Sequence, residues 1–85
     1  MLKASDFNKT VNNAKEEKFD TMVKIQENFI KENMKEGRKS VIWIFSDKEY
    51  YHNDLERTWF NEFENKARLL FEEQGFKING ILINW

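Results

Sequence analysis

Phe76-Lys77-Ile78-Asn79-Gly80-Ile81-Leu82-Ile83-Asn84-Trp85 ends the chain, and the reading of this stretch decides the fold. Asn-Gly between alternating apolar residues is the strongest short-range hairpin signal. With Asn79 and Gly80 as the two turn residues, Ile78 faces Ile81 and Phe76 faces Ile83. All four then share one face with Trp85. The hairpin covers about residues 76–85.

Upstream, Val41-Ile42-Trp43-Ile44-Phe45 supplies a third strand, at about 40–46. Five consecutive β-formers without polar alternation suit a strand covered on both faces, so this one is read as the central strand.

The segment between these strands is helical. Leu55, Trp59, Phe60, Phe63, Ala67, Leu69, Leu70 and Phe71 fill an arc of roughly 200° at 100° per residue, about twice what one partner requires. The helix must therefore touch two things: the sheet, and either the first helix or another chain. Gly75 ends it as a left-handed cap, with Phe76 placed to pack back on Phe71. Its start has two candidates, because Ser46-Asp47-Lys48-Glu49 and Asn53-Asp54-Leu55-Glu56 both read as capping boxes. His52, Asn53 and Asp54 are weak helix-interior residues, which favours the second start and a helix over about 54–74.

At the other end, Ser5 caps a first helix with Asp6 in its first turn. Phe7, Val11, Ala14, Met22, Ile25 and Phe29 recur at helical spacing, and Phe19, Val23, Ile30 and Met34 widen the stripe in the second half only. Lys18 interrupts it. The helix is read over about 5–36, closed by Gly37, with Asp20 as a candidate internal break. Its first three turns carry a narrow stripe among Asn, Lys and Glu, the pattern of a projecting arm. The expectation is one α+β domain over 1–85, helix–strand–helix–β-hairpin, with two helices packed on a three-stranded sheet. No repeat, linker or low-complexity segment interrupts it.

Composition excludes much of the remaining chemistry. The 85 residues (10.4 kDa) contain no cysteine, which removes a disulfide framework and a cysteine-ligated zinc site. The run 41–45 is far too short to span a membrane. The N-terminal residues lack the apolar stretch of a secretory signal, so a cytoplasmic location is expected. Fourteen basic residues against fifteen acidic ones exert no overall pull toward nucleic acid or anionic lipid.

Three side-chain groups carry candidate chemistry. His52, the lone histidine, has Glu49, Asp54 and Glu56 nearby, as a weak metal site or an oriented base would, but a solvated histidine in an acidic loop before a helix is the favoured reading. No nucleophile elbow or phosphate loop accompanies it, so no catalytic residue, metal or cofactor is expected. Lys31, Lys35, Arg38 and Lys39 cluster where the first helix ends. With Trp43, Tyr50 and Tyr51 they would form a stacking-plus-phosphate surface for single-stranded nucleic acid. Alone, they are cations complementing a helix C-terminus. Tyr50, Tyr51, Trp59 and Phe60 are candidate anchors for a protein partner or a homodimer, since Trp and Tyr dominate interface energetics. The competing reading makes them core.

The stretch Ile30-Lys31-Glu32 to Gly37, the strand after it, and Leu69 to Trp85 resemble small accessory proteins carried by phages of low-GC Gram-positive bacteria. The resemblance covers about half the chain, and the ten Asn, eleven Lys and seven Ile suit an AT-rich coding genome. It implies stoichiometric binding to a host or defence protein in the host cytoplasm, and it carries over no functional residue. The expectation is a non-enzymatic interaction module that modulates or inhibits such a protein. The alternative is a nucleic-acid-binding accessory protein using the basic cluster.

Overall fold

The computed structural model describes residues 4–85, with side chains from residue 9 onward. Helix α1 runs from Ala4 to Lys35 and strand β1 from Ser40 to Ile42. Two single 3-10 turns follow, Ile44–Ser46 and Lys48–Tyr50. Helices α2 (Asp54–Thr58) and α3 (Phe60–Glu73) lead into strands β2 (Lys77–Asn79) and β3 (Leu82–Asn84). The α+β architecture is as the pattern implies, with helices around a three-stranded antiparallel sheet.

Helix α1 is unbroken through Asp20, which is exposed and interrupts nothing. The Ser5 cap and the Phe7 contact fall on side chains outside those described. At the other end Gly37 adopts φ 80°, with its N–H on Met34 C=O at 3.0 Å and the Arg38 N–H on Asn33 C=O at 2.9 Å. This is the paired-bond left-handed stop expected of a helix-ending glycine. Gly75 repeats it at the end of α3, with the Phe71 and Phe76 rings 5.8 Å apart as the accompanying apolar contact.

Of the two capping boxes only the second forms: Ser46 closes the first 3-10 turn, its hydroxyl donating to Trp43 C=O at 2.9 Å. Asp47 accepts from the Glu49 N–H and starts one 3-10 turn, whereas Asn53 accepts from the Glu56 N–H at 2.9 Å and starts α2. The second helix is not continuous. It breaks at Trp59, whose N–H bonds Glu56 C=O, while the Thr58 hydroxyl donates back to Leu55 C=O at 2.5 Å. Such side-chain back-bonding competes with the helical ladder.

Two strand expectations are corrected. The sheet order is β1-β3-β2, so the central strand is β3 and the segment at 41–45 supplies an edge. Only its first part is strand: the chain leaves the sheet at Trp43 and turns inward, which buries Trp43, Ile44 and Phe45 together. A short continuous apolar run reports burial on all sides and not the backbone that achieves it. The hairpin register also differs. Ile78 pairs with Ile83 and Asn79 with Leu82, so the turn residues are Gly80 and Ile81. Gly80 alone has positive φ, at 59°, which is the requirement of a type II′ turn, while the type I′ turn needs it at both central residues. This register sets the two buried isoleucines opposite each other and leaves Ile81 exposed.

One core joins the elements. Phe19, Met22 and Ile30 enter it from α1, Phe63, Ala67 and Phe71 from α3, and Ile78 and Ile83 from the hairpin. Trp43, Ile44, Phe45, Tyr51 and Trp59 fill its centre from the connecting segments.

Candidate functional site

The aromatic group divides in two. Tyr51 is buried, its hydroxyl donating to Phe45 C=O at 3.1 Å and its ring 5.2 Å from Phe60. Burial, and secondarily the Glu64 charge, pushes its phenol far above the ordinary value. Trp59 stacks on Phe63 at 5.6 Å and is 8% exposed. As anchors for a partner, both would first have to leave the core. Tyr50 and Phe60 are half-buried and keep a surface. Phe60 borders an open depression of about 340 Å³ with Lys48, Arg57 and Asn61. Partial burial, and after it the carboxylates of Asp47 and Glu49, raise the Tyr50 phenol above its ordinary value.

The sheet offers a second surface. Val41, Ile83 and Ile78 lie in register toward the core, so Ile42, Leu82 and Asn79 lie in register on the opposite side. Ile42 and Leu82, side by side across the ladder, are 38% and 43% exposed.

Lys31, Lys35, Arg38 and Lys39 are all exposed around the end of α1. Lys35 lies 3.9 Å from Glu32 and Arg38 3.3 Å from Glu36, which dilutes their charge. Of the rings grouped with them for stacking, Trp43 and Tyr51 are in the core and Tyr50 alone keeps a partial surface. His52 is exposed, with its backbone N–H on Glu56 Oε1 at 2.9 Å. Among the described residues no group of three or more His, Cys, Asp or Glu could hold a metal ion, and no helix is long and apolar enough to cross a membrane.

Two polar centres escaped the sequence reading. Gln26 is fully buried; its amide donates to Ile42 C=O at 3.1 Å and accepts from Ile44 N–H at 2.9 Å. Trp43, between them, turns its own N–H the other way, to Ile81 C=O. One side-chain amide bonding a C=O and the N–H two residues on reproduces the pair of bonds that a single residue of a parallel neighbouring strand would make. Gln26 thereby stands in for a neighbouring strand at the end of β1, satisfying the Ile42 carbonyl and the Ile44 N–H. The second centre is Glu56, which joins Lys18 of α1 to the start of α2 at 3.1 Å. The signals were present, as a glutamine seven residues after Phe19 on the buried face and a lysine interrupting that face, but each needs a partner distant in sequence to be read.

No protein-family model matches the chain, and neither a curated protein nor a solved structure matches it.

Proposed function

We propose that this chain is a non-enzymatic protein–protein interaction module that binds and modulates another protein. The observation that carries the reading is the pair Ile42 and Leu82, two large aliphatic side chains adjacent on the outward side of the sheet and open to water. Exposed apolar residues scattered singly are ordinary, whereas neighbours across a ladder form a patch that association can cover. Tyr50 and Phe60 supply a half-buried aromatic surface of the kind that anchors interfaces. The resemblance to small phage accessory proteins supports a host or defence protein as partner, met in the host cytoplasm. A second copy of the chain is the other occupant such a patch accepts.

The test compares the wild-type protein with an Ile42→Thr, Leu82→Thr variant. Both residues are partly exposed and threonine suits a strand without adding charge, so the variant is expected to fold, which thermal denaturation checks. Light scattering reads self-association, and affinity capture from host lysate reads a partner. The expected result is association by the wild type that the variant loses. A strictly monomeric wild type that captures nothing overturns the reading, as does undiminished capture by the variant.

A further inference from the structure

Glu56 occupies the third position of α2, where a capping-box carboxylate reaches back over the helix start. Here its Oε1 accepts the His52 N–H at 2.9 Å, and its Oε2 lies 3.3 Å from Asn53 Nδ2. The same Oε1 is 3.1 Å from Lys18 Nζ, and the two side chains are only 17% and 19% exposed. One carboxylate therefore belongs to two structures, the cap of α2 and the seat of α1.

We infer that Glu56 is a latch: it couples docking of the N-terminal half of α1 to closure of the α2 capping box, so that loosening either loosens the other. Coupling of this kind is reciprocal by thermodynamic necessity. A largely covered ion pair is strong enough to matter, whereas the neighbouring Lys15–Glu62 pair, at 2.6 Å, has its carboxylate 57% exposed and is a weaker tie. Beside it, between α1 and α3, a depression of about 230 Å³ lies over Phe19 and Phe63, rimmed by Asn12, Lys15, Glu16, Glu62 and Lys66. The inference stands whether or not the domain binds a protein.

Amide hydrogen exchange on the full chain tests it, with residues 22–35 reporting any global loss of stability. Lys18→Met keeps the capping carboxylate and removes only the tie. It is expected to lower protection of residues 9–18 about tenfold and to lower that of residues 54–58 as well. Glu56→Gln should lower both, and the double variant should be no worse than Glu56→Gln alone. Glu62→Gln should change residues 9–18 by less than about threefold. The latch is overturned if Lys18→Met leaves residues 54–58 unchanged, if the two substitutions add independently, or if Glu62→Gln matches Lys18→Met. Should Glu56→Gln fail to fold, Lys18→Met still decides.

Discussion

The two halves of α1 have much the same complement of Lys, Glu and Asn, yet they are held by different chemistry. From Phe19 onward the helix is fixed by burial: Phe19, Met22 and Ile30 are in the core, and Gln26 is bonded on both sides to main chain. Before Phe19, Val11 is half-buried against the core's edge, Ala14 is exposed, and Lys15 and Lys18 reach to Glu62 and Glu56. Apolar burial and a dry hydrogen bond are insensitive to salt and moderate pH, while ion pairs near the surface respond to both. One continuous helix thus joins a fixed segment to one whose attachment depends on solution conditions.

The sharpest way to break that contrast is to damage the core and ask whether both halves fail. Trp59→Ala removes an indole stacked on Phe63, which in turn meets Phe19 edge-on at 5.3 Å. A loss of about 3–5 kcal/mol is expected in urea denaturation, enough to unfold a domain this small. A correctly folded Trp59→Ala protein of unaltered stability would return Trp59 to the role of a partner anchor. Gln26→Leu comes next. It keeps an aliphatic side chain but strands Ile42 C=O and Ile44 N–H, for an expected loss of about 2–5 kcal/mol. If the loss falls well short of that range, the amide is an accessory to packing and the two halves differ less than the geometry says.

Acid addresses the other half. The His52 N–H, foremost, and Lys18 hold the Glu56 carboxyl below its ordinary value of 4.5, outweighing its partial desolvation. A group whose folded pKa is depressed contributes stability that is complete above the unfolded value and is lost as pH falls through the folded one. The stability gap between wild type and Glu56→Gln should therefore be constant above about pH 5 and narrow steadily below 4.5. Denaturation at a series of pH values reads it, and a gap that stays flat to pH 2–3 contradicts the assignment of the carboxylate's role.

What was legible follows from how local each cause is. The left-handed stops at Gly37 and Gly75 and the Asn53 cap are set by a few adjacent residues, and they stand where the pattern puts them. The order of strands is not local. Both Val41–Phe45 and Leu82–Ile83 are apolar enough to be central, and only the inward turn at Trp43 decides between them. The hairpin turn moved by one residue because Asn79-Gly80 satisfies the local rule, while opposing Ile78 to Ile83 satisfies the core. At the candidate surface, an over-wide apolar arc correctly required a second contact for the helix. The rings of Phe19 and Tyr51 provide much of that contact inside the chain, leaving Leu55 and Leu69 outside.

The smallest expected effect sharpens the contrast most, because it separates ion pairs by their surroundings. Lys15–Glu62 is shorter than Lys18–Glu56, yet its carboxylate is far more exposed. Distance alone would make it the stronger tie; exposure makes it the weaker, since water and salt screen it and two long side chains lose freedom to form it. Lys15→Met is therefore expected to cost about 0.2–1 kcal/mol at low ionic strength, and that cost should vanish by about 1 M salt, where the screening length is about 3 Å. Over the same salt range, Lys18→Met should retain most of its effect. Equal salt dependence in the two variants would mean that the seat of α1 on Glu56 is no more protected from solvent than an ordinary surface pair.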